Sequence, residues 1–141
     1  MPPDTLYDAA TRDRVGGKPD IALKEFSDYV QMYGDTDKAA SAQYWIGYIF
    51  WDQGDYPNAV KNFDLVLERY PDGNKTADAM YMKGQALVKL NQKTDAAKEF
   101  RAILARFPNS EVKDKACTQL KGLGFTCAVA PAAKKKTRPR A

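Results

Sequence analysis

The chain contains no histidine and only two cysteines, Cys117 and Cys127. Histidine is the usual general base and metal ligand near neutral pH, so its absence removes most catalytic triads and most zinc sites together. The two cysteines stand ten residues apart, whereas zinc sites require more ligands at closer spacing. No metal site and no cofactor is expected. An oxidising compartment would join the two thiols in a disulfide; otherwise they stay unpaired, and the sequence leaves both readings open. There is no glycine-rich phosphate loop and no G-x-S-x-G element. Aspartate and glutamate are scattered as on solvated helix faces. Catalysis is therefore not expected. The chemistry that remains is non-covalent and rests on eight tyrosines and two tryptophans. Their rings supply large contact area at low entropic cost and are enriched at binding hot spots.

Those rings need elements to hold them. The 141 residues suffice for one domain. A hydrophobic fraction of 44% with 28% charged residues is that of a globular chain. The longest apolar runs, such as Tyr44–Trp51, fall far short of the ~18 residues that cross a bilayer. Met1-Pro2-Pro3-Asp4 has neither a basic nor an apolar region, so it does not read as a signal peptide. The net charge is +4, but Lys134, Lys135, Lys136, Arg138 and Arg140 crowd the last eight residues. Without these five, 17 basic residues face 18 acidic ones. The body thus carries no excess of positive charge of the kind a nucleic-acid-binding domain shows. The tail has three readings: solvated disorder, a contact for anionic lipid or polymer, or a nucleic-acid arm.

Shifting the sequence by 37 residues lays it on itself. Tyr7, Tyr44 and Tyr81 align, as do Ala10, Gly47 and Gly84. So do Ala22, Ala59 and Ala96; Phe26, Phe63 and Phe100; Val30, Leu67 and Leu104; and Tyr33, Tyr70 and Phe107. Each unit reads as two helices. In the second unit, one runs from about Lys38 to Gln53, Gly54-Asp55 signals a turn, and Tyr56-Pro57 opens the next with proline in its first turn. Gly16-Gly17-Lys18-Pro19 and Asn91-Gln92 mark the same turn in the other units. No useful stretch alternates with period two, so no sheet is expected. The aligned alanines and glycines let helix backbones approach, and the phenylalanines fill the space between one hairpin and the next. A single hairpin cannot bury its apolar face, so neighbours must stack. Val112, Ala116, Leu120 and Leu123 keep helical spacing and read as a capping helix over 111–123, with Phe125 and Cys127 folding back on it.

The expected fold is all-α: a right-handed solenoid of three helix-turn-helix repeats at about 5–40, 42–77 and 79–114, with a C-terminal cap. Residues 1–4 read as an extension and 124–141 as a second one ending in the basic tail. The small-residue, Phe and Pro pattern resembles the tetratricopeptide repeat, with a period three residues longer than that family's usual 34. The texture Ala-x-Tyr-Trp-Ile-Gly, Gly-Asp-Tyr-x-x-Ala-x-x-x-Phe and Tyr-Pro-Asp-Gly is similar to the C-terminal domain of the Tol-Pal accessory protein YbgF, the cell division coordinator CpoB. That resemblance covers roughly residues 5–123. It implies a periplasmic scaffold that binds Tol-Pal or peptidoglycan-synthesis machinery and links cell division with envelope maintenance. In that family the domain follows a signal peptide and a trimerising coiled coil. Neither is seen here, so the chain reads as a fragment or a reduced relative, and oligomerisation is left open. A second resemblance, to the tetratricopeptide lipoprotein of the outer-membrane β-barrel assembly machine, implies an adaptor in outer-membrane protein assembly or secretion.

In a tetratricopeptide array the first helix of each pair lines the concave face. The register set by Ala22, Ala59 and Ala96 then places Tyr7, Thr11 and Arg14 in the groove from the first unit. Tyr44, Tyr48, Trp51 and Asp52 come from the second, and Tyr81, Gln85, Val88 and Lys89 from the third. An extended or helical segment of a protein partner is expected to lie there. Tyr7, Tyr44 and Tyr81 recur in every unit, which favours packing. Tyr48 and Trp51 break the repeat, which favours recognition. Trp45 is expected between hairpins. Thr11 and Tyr48 stand where a carboxylate-clamp co-chaperone carries asparagines, so capture of a chaperone tail is not expected.

Overall fold

A computed structural model describes residues 1–128. Among them are seven helices and no strand: α1 Pro3–Val15, α2 Pro19–Met32, α3 Ala39–Asp52, α4 Tyr56–Arg69, α5 Thr76–Lys89, α6 Lys93–Arg106 and α7 Val112–Gly122. Each helix packs on the next in sequence, and the first helices of neighbouring units also touch, α3 on α5 and α5 on α7. No helices more than two apart in order make more than marginal contact. This is a helical repeat solenoid, in which every hairpin is stabilised by its neighbours alone. The basic residues from Lys134 to Arg140 lie outside the described residues.

The 37-residue period is written into the turns. Gly17, Gly54 and Asn91 follow the first helix of each pair and all have positive φ, at 78°, 76° and 63°. Glycine enters that region freely, and asparagine is among the few other residues that tolerate it. Proline in the first turn then starts α2 and α4, where its missing N–H costs nothing. At α4 the Asp55 side chain also accepts a hydrogen bond from the Asn58 N–H at 3.3 Å.

Inside each hairpin, one small residue meets one ring. A methyl placed on Gly47 would lie 2.8 Å from the Phe63 ring, and one on Gly84 would lie 2.6 Å from Phe100. The phenylalanines thus sit over the small residue of their own hairpin. Phe26 and Phe63 also reach the next hairpin: Phe26 shares a core with Ala39, Ala42 and Ile46 of α3, and Phe63 shares one with Ala79 and Ala86 of α5. The rings thus fill the space between one hairpin and the next as expected, and they also seat on the small residue within their own pair. Phe26, Phe63 and Phe100 are all fully buried.

Polar contacts fix neighbouring units relative to one another. The Tyr70 hydroxyl donates to the Gly34 carbonyl at 3.0 Å, tying the end of α4 to the loop after α2. Lys83 on α5 pairs with Asp64 on α4 at 2.8 Å and Glu99 on α6 at 2.6 Å. Burial alone would push the Lys83 ammonium down, but the two carboxylates outweigh it and hold it above the ordinary lysine value.

The two ends of the stack differ from its middle. Ala42, Ile46 and Ile49 of α3 share a core with Phe26 and Tyr29 of α2. Their counterparts in α1 are Thr5, Ala9 and Arg12, of which Thr5 and Arg12 are exposed. At the other end α7 buries Val112, Ala116 and Leu120, while Lys113, Asp114, Lys115, Thr118 and Lys121 face outward. A disulfide joins Cys117 to Cys127, with Cα atoms 5.1 Å apart. Leu123, Phe125 and Cys127 pack against the C-terminal core, and the Arg101 guanidinium lies 5.2 Å from the Phe125 ring centre. Residues 1–4 are not wholly an extension: Pro3 and Asp4 already belong to α1, whose first turn is closed by the Leu6 N–H on the Pro2 carbonyl at 2.9 Å.

Candidate partner-binding surface

The first helices α1, α3 and α5 bring residues of all three units to one surface. Its centre is aromatic. Tyr44 is buried, and its ring centre lies 5.3 Å from Trp45, 6.0 Å from Tyr48 and 5.6 Å from Phe63. Trp45 and Tyr48 meet edge-on at 5.4 Å. Such tilted and edge-on pairs are the favoured arrangements of aromatic quadrupoles.

Cations reach this cluster from α1 and from the residue before α5. The Arg14 guanidinium, from α1, lies over the Trp45 ring at 3.8 Å. The Lys75 ammonium, just before α5, is 5.1 Å from the Tyr44 ring centre and 5.8 Å from that of Trp45. These distances fall within cation–π range. Burial pushes the Tyr44 phenol well above its ordinary value; Asp78 and Tyr48 add to the shift and Arg14 opposes it. The phenol therefore stays neutral at physiological pH.

The same device recurs along the stack. Lys38 lies 5.1 Å from the Tyr7 ring centre, and Lys115 lies 6.0 Å from that of Tyr81. Each tyrosine also contacts the phenylalanine of its own hairpin, at 5.7 Å for Tyr7–Phe26 and 5.7 Å for Tyr81–Phe100. The three recurring tyrosines thus form a packed layer, each covered by a lysine at or near the start of α3, α5 or α7. Burial raises the Tyr81 phenol as well.

The other residues read from the sequence divide. Arg14, Tyr44 and Tyr48 converge with Trp45. Trp51 is half-buried and meets Tyr56 edge-on at 5.2 Å. Val88 packs on the C-terminal core, and Gln85 is half-buried. Asp52 and Lys89 are exposed near the ends of α3 and α5. Thr11 Oγ1 and Arg14 Nε are buried polar atoms without a hydrogen-bond partner. Trp45, expected only to pack between hairpins, thus also meets both cations, and Lys38 and Lys75, absent from the expected groove, recur with the 37-residue period. That recurrence was the available signal. Lys115 breaks the period and had none.

Stacked hairpins with this geometry define a tetratricopeptide-like protein-interaction scaffold. The chain belongs to the outer membrane lipoprotein family YfiO, whose profile matches residues 1–128. No curated protein matches it. Among solved structures it is similar to a MamA RS-1 double mutant, at 26% identity and a TM-score of 0.70, with 86% of this chain and 62% of that one covered. The chain thus spans 62% of the length of that relative. It also shares its fold with SycD, the type III secretion translocator chaperone of Yersinia enterocolitica, at 15% identity. There the TM-score is 0.71 and the match covers 86% of this chain and 91% of that one. The finer likeness to the Tol-Pal accessory protein gains no support from these matches.

Proposed function

We propose that the chain is a protein-interaction adaptor of the bacterial cell envelope that holds a segment of a partner on the surface formed by α1, α3 and α5, in the service of outer-membrane protein assembly. The observation that carries the binding role is the convergence of Arg14, Tyr44, Trp45, Tyr48 and Lys75, drawn from α1, α3 and the residue before α5 onto one face. A mixed aromatic and cationic surface of this kind has the composition of an interface hot spot. Membership of an outer membrane lipoprotein family supports the compartment and the assembly role. Among the described residues no helix is long and apolar enough to cross a membrane.

The test is recovery of envelope proteins on the immobilised chain, comparing wild type with Tyr48→Ala and Trp51→Ala. Circular dichroism would establish that the variants keep their helices. Recovery of an outer-membrane assembly component by wild type, lost in Tyr48→Ala, is the expected result. Equal recovery by all three proteins would remove this face from the account. A Tol-Pal-type role in cell division is the second reading, favoured by the Ala-x-Tyr-Trp-Ile-Gly texture around Tyr44; recovery of Tol-Pal components in the same experiment would favour it.

A further inference from the structure

Arg14 and Lys75 converge on one aromatic pair, and among the described residues neither has a carboxylate within ion-pairing distance. The ion pairs among the described residues join Lys24 to Asp28, Lys38 to Asp4, and Lys83 to Asp64 and Glu99. The cation that recurs with Lys75, namely Lys38, is thus neutralised by Asp4, whereas Lys75 is not. Arg14 lies on Trp45 with its Nε lacking an acceptor, and Thr11 Oγ1, one turn earlier on α1, lacks a partner too. Asp78 acts on the Tyr44 phenol but forms no ion pair with either cation. Asp52 sits exposed at the end of α3.

We infer that this surface takes an acidic segment: a stretch of partner chain whose aspartate or glutamate side chains meet Arg14 and Lys75 while a neighbouring aromatic or apolar side chain rests on Trp45 and Tyr48. The inference rests on the binding role proposed above and adds the chemistry of what is bound. Charge complementarity chooses an acidic partner, because a basic one would set like charge against both cations. The carboxylate comes from a side chain rather than a chain terminus. A terminus-gripping clamp uses asparagines at the positions that Thr11 and Tyr48 occupy here.

Isothermal titration of the full chain with synthetic peptides tests this. The probe is a short peptide, acetylated and amidated, with two glutamates flanking a phenylalanine in a Gly-Ser frame. Its companion carries lysines in place of the glutamates. The glutamate peptide is expected to bind and the lysine peptide not to. Arg14→Gln and Lys75→Gln should each weaken binding about fivefold, the scale of an exposed ion pair, and added salt should weaken it further. Equal binding of both peptides would overturn the acidic preference while leaving the binding face intact. No binding of either at millimolar concentration would overturn the inference, and recovery of envelope partners would still judge the face separately. Tighter binding of a glutamate-free peptide with a free C-terminus would also overturn it, by assigning the carboxylate to a chain end.

Discussion

At the residue scale, the positions that matter most are those where one side chain sets the distance between two helices. Gly47 and Gly84 lie under phenylalanine rings with no room for a methyl, whereas the first unit holds Ala10, fully buried, at the same place. An alanine at Gly47 gains roughly 1 kcal/mol of helix propensity but forces the Phe63 ring out of its seat, which costs roughly 1–3 kcal/mol. Gly47→Ala should therefore lower stability by about 1 kcal/mol in urea denaturation. Ala10→Gly should lose a similar amount for the opposite reason, since there the methyl fills space and the helix loses propensity. Tyr70→Phe removes the hydroxyl that ties the end of α4 to the Gly34 carbonyl and should cost about 1 kcal/mol. Aligned residues thus share a position without sharing an energy, and this is where sequence reading stops: the repeat shows that Ala10 and Gly47 correspond, but only the ring above them shows which will accept a methyl.

Elements were far more legible. The turn signals Gly16-Gly17, Gly54-Asp55 and Asn91-Gln92 precede α2, α4 and α6 as read from the sequence, and the expected first helix of the second unit, Lys38 to Gln53, became α3 at Ala39–Asp52. These succeeded because each signal is local: a left-handed turn, a first-turn proline, an apolar stripe. Contacts between elements were not legible, because Lys83 meets Asp64 and Glu99 only once α4, α5 and α6 have stacked. That bridge yields a prediction at this scale. Lys83 has a folded-state pKa above its unfolded value of ~10.4. Its stabilisation is therefore complete below the unfolded value and disappears as pH rises through the folded one. Asp64 is 37% exposed, so water screens part of the gain. Lys83→Met should cost about 1 kcal/mol at neutral pH, and the two proteins should converge in thermal stability only once pH has risen past the raised folded-state value of Lys83. The disulfide acts on the last element. In the chain-entropy account, closing a loop of this size contributes about 2–3 kcal/mol. Cys127→Ser should lower the melting temperature by several degrees and raise hydrogen exchange over 120–128.

The whole molecule is a stack whose central layer carries the candidate site. Its repeat was readable from end to end because a fixed interval survives any view of the chain; the proposed face was less legible. Tyr48 and Arg14 were placed by the register, but the lysines that cover the tyrosines were not, since which ring each lysine meets depends on how the helices stack. Trp45 occupies the junction of these relations. It shares cores with both the first and the second hairpin, and Arg14 and Lys75 reach its ring from α1 and from the start of α5. Indole emission responds to nearby charge and to changes in packing. Replacing Trp51 with phenylalanine would leave Trp45 as the single emitter, a dye the chain already carries, whose colour would register a shift between hairpins without any label being attached.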